Sequence, residues 1–158
     1  MKQTIILFTL FLNASASFCQ SSPLPDLEAN FFAVIVEDIE QSINWYSEIL
    51  GFEILNKVDL PERNLKQANL KRSSILIELI ELGSAVSHKK LLKNFPKKTK
   101  IKGFFKFGFF VPEFEKWIDF LKKSNVEFNG DIVTDHLTGK KMLIIKDPDG
   151  NRIQIFEK

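Results

Sequence analysis

The chain has 158 residues, of which 44% are hydrophobic and 27% are charged, with 7 Gly, 6 Pro and a single Cys. This composition excludes collagen-like, low-complexity and disulfide-stapled architectures and suits one globular domain. The net charge of +2 comes from 22 basic and 20 acidic residues. Because nucleic-acid binding usually needs a strongly basic footprint, this balance predicts no nucleic-acid partner.

Residues 1–19 have the pattern of a cleaved export signal. Lys2 supplies a positive start, residues 4–12 form an apolar run, and small residues follow. The run is too short to cross a bilayer. Cleavage after Ala16 or Cys19 would leave a secreted or periplasmic protein. A lipoprotein anchored at Cys19 is the alternative, although the bulky residue before this cysteine is atypical of lipoprotein cleavage.

A linker over residues 20–28 leads into the first of two similar modules, which we place at residues 29–82. The β-branched and aromatic run at 31–36 predicts a strand. Asp38 begins a capping box, and the helical spacing of the apolar residues after it predicts a helix over 39–50. Three further strands are predicted, over residues 52–55, 65–71 and 75–80.

The same order of elements returns 75 residues later. After a basic linker at 83–102, module two at 103–158 begins with an apolar strand over 104–111 and a helix over 113–124. Three strands are predicted to follow, over residues 126–128, 141–145 and 152–156. The last two are joined by residues 147–151, where Pro and Gly favour a tight turn. The chain is therefore an internal duplication of class α+β, in which two βαβββ modules form an eight-stranded curled sheet around a cleft.

This pattern resembles the vicinal oxygen chelate superfamily, which includes glyoxalases, bleomycin-resistance proteins and extradiol dioxygenases. The resemblance lies in the strand, the helix and the Leu-Gly-Phe sequence between Val36 and Phe52, and in the turn at 147–151. It covers residues 29–158. Because one fold hosts many chemistries, the resemblance specifies the fold more closely than the activity.

In the metalloenzymes of this superfamily, four side chains hold a divalent ion, one from the first and one from the last strand of each module. The corresponding positions here are Phe31, Glu78, Lys106 and Gln154. A phenyl group offers no lone pair and an ammonium group repels a cation, so we expect no metal site and no cofactor. Glu78 and Gln154 are the only plausible remnants of such a site. A shifted register, or recruitment of Glu81 or His136, is the remaining route to a metal.

Strand alternation predicts what lies in the cleft instead of a metal. Residues two apart on a strand share a face, which adds Phe110 to the face of Lys106 and Arg152 to that of Gln154. We therefore predict these ligand-binding residues: Phe31, Glu78, Lys106, Phe110, Arg152 and Gln154.

Two interpretations of Lys106 remain open. In one, Lys106 and Glu78 form a buried ion pair that replaces the metal as a cross-link, so Lys106→Met would destabilise the protein strongly. In the other, Lys106, Arg152 and Gln154 anchor the anionic or carbonyl group of a small, partly apolar ligand.

The favoured hypothesis is an exported, metal-independent protein that binds a small molecule, similar in principle to the bleomycin-resistance proteins. The alternative is a lyase, isomerase or dioxygenase of the glyoxalase type, with a non-standard metal site or with Lys106 as a base. A third hypothesis is an interaction protein whose cleft is filled by Phe side chains. The sequence identifies no catalytic residue.

Two kinds of protein or surface contact are also compatible with the sequence. The resemblance allows a homodimer in which a second copy completes the cleft, and no residue decides between this dimer and a monomer. The lysines from Lys89 to Lys106 lie in a stretch without acidic residues. This stretch is either a solvated linker or a weak contact with an anionic envelope surface.

Overall fold

Two four-stranded sheets, each with a helix on one face, make up the computed structural model, which describes residues 29–96 and 99–158. The predicted α+β class and the two βαβββ modules are confirmed, and the two sheets are not closed into a barrel. Within the described ranges, no helix is long and apolar enough to cross a membrane. The predicted signal and linker over residues 1–28 lie outside the described residues.

Module one has five main elements. They are β1 (Phe31–Val36), α1 (Ile39–Leu50), β2 (Glu53–Leu60), β3 (Leu65–Arg72) and β4 (Ile75–Leu82). The sheet order is β1-β4-β3-β2, with β1 parallel to β4. Helix α1 begins where the Asp38 side chain accepts a hydrogen bond from the Gln41 amide at 3.0 Å, as the capping box predicts. It ends at Gly51, whose φ of 65° lies in the left-handed region that favours glycine.

Module two repeats this plan after a short helix, α2 (His88–Leu91), in the linker. Its elements are β5 (Phe107–Val111), α3 (Phe114–Lys123), β6 (Val133–Thr134), β7 (Lys141–Lys146) and β8 (Arg152–Glu157). The sheet order β5-β8-β7-β6 matches that of module one, and β5 is again parallel to β8. The predicted turn over 147–151 is confirmed, with φ of 82° at Gly150.

One strand prediction in module two is wrong. Residues 126–128 form only an isolated bridge between Phe128 and Ile145, and the edge strand of the sheet is β6 instead. Positive φ angles at Asn125 (53°) and Gly130 (101°) turn the backbone on both sides of this segment. The strand pairing at Phe128 is therefore limited to this single bridge.

Alternation divides each sheet into a buried face and an open face, as predicted. On β1, Val34 and Val36 are buried against α1, whereas Phe31 and Ile35 point to the other side and are exposed. Buried residues of both modules form one hydrophobic core cluster. We call the open sides of the β1-β4-β3-β2 and β5-β8-β7-β6 sheets the module-one face and the module-two face.

The modules meet through side chains on their helix-bearing sides. The Phe32 and Phe107 ring centroids are 4.3 Å apart, and Tyr46 of α1 donates a 3.0 Å hydrogen bond to Asp147 in module two. In the reverse direction, the Arg72 guanidinium of module one lies 5.3 Å from the centroid of the Trp117 ring of α3. Phe32 and Phe107 therefore lie on the sides of their sheets opposite the two open faces.

Candidate ligand-binding faces

The module-one face holds a groove of about 310 Å³ beside Glu78. Its lining combines apolar Phe31, Leu55 and Leu76 with polar Asn56, Asn69 and Glu78. The Glu78 carboxylate accepts a hydrogen bond from the Gln67 amide, and Asn69 donates one to Asn56 at 2.7 Å. The polar groups of this groove therefore satisfy one another, and the single carboxylate already has a protein donor.

The module-two face is aromatic and cationic. The Arg152 guanidinium lies 4.8 Å from the centroid of the Phe105 ring, and the Phe110 and Phe156 rings pack with centroids 5.4 Å apart. Lys106 is exposed immediately before β5. Within the described part of the chain, neither Lys106 nor Arg152 takes part in an ion pair. This face therefore offers the Arg152 guanidinium beside apolar rings, and Lys106, next to Phe105 in the chain, is a second unpaired cation near the start of β5.

Two residues form the floor of the module-two face. Gln154 is 7% exposed, and its Nε2 donates to the Met142 sulfur at 2.8 Å. Gly108 pairs with Gln154 across the parallel strands. A Cβ at Gly108 would lie 2.7 Å from the Gln154 carbonyl oxygen. Only glycine fits there without a shift, so the strand between Lys106 and Phe110 carries no side chain at its centre.

The predicted Lys106–Glu78 ion pair is wrong for the single chain. Glu78 is bonded to Gln67, Lys106 is exposed, and the residues lining the groove beside Glu78 all come from module one. Because the modules meet through their helix-bearing sides, Glu78 and Lys106 are separated: Glu78 lies on the module-one face, and Lys106 belongs to module two. Strand β4, which carries Glu78, and strand β5, which follows Lys106, belong to two separate four-stranded sheets.

The donor set of the four superfamily metal positions does not fit a divalent ion. Phe31 and Lys106 offer no ligand atom, and Gln154 and Glu78 lie on different sheets. Among the described residues, no group of three or more His, Cys, Asp or Glu could hold a metal. We therefore derive no chemistry through a bound metal.

The two residues considered as substitute ligands have other surroundings. Glu81 accepts hydrogen bonds from the Lys66 ammonium at 2.8 Å and from the Ile39 amide at 2.9 Å. The hydrogen bond from Lys66, followed by that from Ile39, lowers the pKa of Glu81. His136 is exposed, and the Asp135 carboxylate beside it accepts hydrogen bonds from the Thr138 amide and hydroxyl. Glu81 therefore connects the first residue of α1 to the end of β4, an inner strand of the sheet.

The sequence did not indicate that the Asp147–Asn151 turn connects the modules. Asp147 is 4% exposed and accepts from the Tyr46 hydroxyl and from both the amide and side chain of Asn151. Asp149 accepts from the Glu37 amide of module one at 3.0 Å. Burial, followed by the charge and hydrogen bond of Asp147, raises the pKa of Tyr46. The sequence signal for this junction was the presence of two aspartates, Asp147 and Asp149, in the turn, because a simple hairpin turn does not require both.

Three other residues of the faces were not predicted. Gln67 and Asn69 lie on β3 opposite Ile80 and Glu78, and alternation along β3 could have placed them. Phe105 lies within the strand predicted over 104–111, where alternation placed it on the face opposite Lys106, but the observed β5 begins only at Phe107.

Comparisons with known proteins agree with this architecture. Residues 29–155 match the family model of the Glyoxalase/Bleomycin resistance protein/Dioxygenase superfamily. A search of the curated proteins finds no significant match.

Solved structures of glyoxalase-family proteins share the fold. A glyoxalase family protein from Enterococcus faecalis is 28% identical, with a TM-score of 0.71 over 82% of this chain and 97% of that chain. The trypanothione-dependent glyoxalase I of Leishmania major is 21% identical, with a TM-score of 0.62 over 84% of this chain and 87% of that one. A glyoxalase family protein from Bacillus cereus is 15% identical, with a TM-score of 0.64 over 86% of this chain and 97% of that one.

Proposed function

The chain belongs to the Glyoxalase/Bleomycin resistance protein/Dioxygenase superfamily, and from this premise we propose that it binds a small, partly apolar ligand without a metal ion. The ligand carries an anionic or carbonyl group and binds on the module-two face. The observation that carries the proposal is the Arg152 guanidinium over the Phe105 ring, beside an exposed Lys106.

Each part of the module-two face suits one part of such a ligand. Phe110 and Phe156 provide an apolar surface. Gly108, between Lys106 and Phe110, adds no side chain that would stand in the way of a ligand. The Arg152 guanidinium lies over the Phe105 ring, and its N–H groups suit a carboxylate, a phosphate or a carbonyl oxygen. A hydrogen bond to a charged group contributes roughly 1.5–3 kcal/mol.

Metal independence follows from the chemistry of the donor set. The ammonium group of Lys106 stands where superfamily metalloenzymes have a ligand, and a cation there favours an anion over a metal ion. In this proposal the side-chain cation takes the role that a Lewis acid has in those enzymes. Metal-dependent turnover would instead support a glyoxalase-type enzyme.

A second copy of the chain covers the ligand in this proposal. Phe31 and Phe110 are 58% and 69% exposed, an unusual exposure for rings on the faces of a small protein. Two-fold pairing of the module-one face with the module-two face of another copy would bury both rings. It would also bring Glu78 of each copy toward Lys106 and Arg152 of the other. Opposite charges would then meet twice in a closed, symmetric dimer.

The site of action in this proposal is outside the cytoplasm. The support is the positive start, apolar run and small residues within residues 1–19. Cell fractionation should recover a shortened chain beginning at Ser17 or Gln20. An intact chain in the cytosol would contradict export, whereas an acylated Cys19 would change only the mode of processing.

The binding proposal can be tested with 8-anilinonaphthalene-1-sulfonate, an aromatic anion of the proposed class. We expect saturable binding that Arg152→Gln or Lys106→Gln weakens by roughly tenfold or more. Lys122→Gln, on the exposed end of α3, is the matched control and should leave binding unchanged. The uncharged dye Nile red should respond little to either cation variant. Equal binding of the anion by all variants would contradict the proposed site.

A further inference from the structure

The linker between the modules, together with the start of module two, concentrates positive charge. From Gly83 to Pro112 the sequence has eight Lys and no Asp or Glu. The whole chain carries +2, so the residues outside this stretch are acidic on balance. The positive charge is therefore concentrated in one region of the chain and is not spread evenly over the protein.

Large apolar side chains are exposed along the linker and just after it. They are Val86, Leu91, Phe95, Ile101, Phe104 and Phe105. Phe104 is 77% exposed and Phe95 is 58% exposed, whereas Phe52 and Phe114 in the core are each 3% exposed. We call residues 86–96 and 99–104 the basic-aromatic segment, because lysines and exposed apolar side chains are interspersed along it.

The chemistry of this segment favours a lipid surface over a nucleic acid. Valine, leucine and isoleucine side chains do not stack on bases, and the segment contains no Arg for bidentate contact with phosphates. Apolar side chains beside lysines instead match the boundary between acyl chains and anionic headgroups. A lysine can place its charge at the headgroups while its methylene stem covers apolar surface.

We propose that the basic-aromatic segment binds the surface of an anionic phospholipid bilayer. Lys89, Lys90 and Lys93 contact the headgroups, while Phe95 and Phe104 enter the upper acyl region. This contact is independent of the ligand proposed for the module-two face. It would hold the protein at a membrane surface through its linker.

Flotation of the full chain with vesicles tests the electrostatic and apolar parts separately. We expect binding to vesicles of phosphatidylglycerol and phosphatidylcholine that weakens as salt screens the charges, and much weaker binding to phosphatidylcholine alone. The variant K89Q/K90Q/K93Q should bind the anionic vesicles about tenfold or more weakly. F95S/F104S should bind several-fold more weakly and keep the salt dependence.

Control variants distinguish this segment from general effects. K122Q/K123Q/K158Q removes the same charge from exposed sites elsewhere, and L137S and F120S remove exposed apolar side chains outside the segment. These controls should bind like the unmodified chain. All variants keep residues 1–28, so vesicle binding that persists in both segment variants would assign the contact to another region and overturn the proposal. Binding to heparin or RNA without binding to anionic vesicles would also overturn it.

A tryptophan probe reports the position of the segment directly. In F104W, the added fluorescence should shift to the blue on anionic vesicles and be quenched by lipids brominated on their acyl chains. Trp45 and Trp117 are half-buried in the unmodified chain and provide the background signal. An F104W signal that stays unquenched while the protein floats with the vesicles would show that the segment does not enter the bilayer.

Discussion

The module-one and module-two faces have the same backbone plan and opposite chemistry. Ala33 pairs with Glu78 in the first, and Gly108 pairs with Gln154 in the second, at equivalent places in the two sheets. The Glu78 carboxylate on the module-one face accepts a hydrogen bond from Gln67. In the described chain, Lys106 and Arg152 of module two take part in no ion pair. The two modules therefore share the strand register but differ in their side chains. Because its cations have no ion-pair partner within the described chain, the module-two face is the better candidate for an external ligand.

The largest expected effect is on the junction that holds the two faces in place. Asp147→Ala would leave the Tyr46 hydroxyl and the Asn151 donors without their buried acceptor. We expect the free energy of unfolding to fall by about 2–4 kcal/mol, measured by chemical denaturation. Asp131→Ala, in an exposed loop, is the control and should change it by less than about 0.5 kcal/mol. An unchanged midpoint for Asp147→Ala would show that the turn does not hold the modules together.

Equivalent positions on the two faces should respond differently to one methyl group. Gly108→Ala places a Cβ 2.7 Å from the Gln154 carbonyl oxygen, so we expect a loss of about 1–3 kcal/mol. The reverse change in module one, Ala33→Gly, removes a tolerated Cβ and should cost only about 0.5–1 kcal/mol through backbone entropy. Equal losses in thermal or denaturant unfolding would mean that the faces do not differ in their strand packing.

Substitution of Lys106 should distinguish the fold of one chain from the pairing of two. The sequence suggested that Lys106→Met would destabilise strongly, but an exposed Lys106 predicts a change within about 0.5 kcal/mol. Unfolding at concentrations where the chain is monomeric should therefore show no coupling with Glu78→Leu. In dimer dissociation, measured by analytical ultracentrifugation, the same two changes should couple by about 1–2 kcal/mol. Absence of that coupling would contradict the proposed two-fold pairing.

The smallest expected effect is the pH response of Asp149 at the junction. Burial raises the pKa of Asp149 above its ordinary value, so the folded state disfavours its ionised form. The stability from this group is complete below the unfolded pKa and is lost as the pH rises through the folded pKa. Asp149→Asn should therefore be more stable than the unmodified chain at pH 7 and lose this advantage below about pH 4. A difference that is constant with pH, measured by thermal melts, would contradict this account.

The sequence predicted which residues share a sheet face better than it predicted how the two modules are joined. Alternation places Phe31 on the face of Glu78 and Phe110 on the face of Gly108, because period two within a strand is a local property. Lys106 lies outside β5, so this rule does not fix its position. The junction depends instead on Tyr46 and Asp147, which are 101 residues apart in the chain. No periodicity encodes such a contact, and the Lys106–Glu78 ion pair, which also depended on how the modules are arranged, was predicted wrongly.

Native mass spectrometry of the purified chain, incubated with excess Zn²⁺ and Mn²⁺ and with 8-anilinonaphthalene-1-sulfonate, tests the central claim most directly. We expect a dimer that carries the organic anion in saturable amount and no stoichiometric metal. The cations of the module-two face would explain this result, and Arg152→Gln should lose the anion. One metal ion per chain that disappears in Glu78→Ala would contradict metal-independent binding.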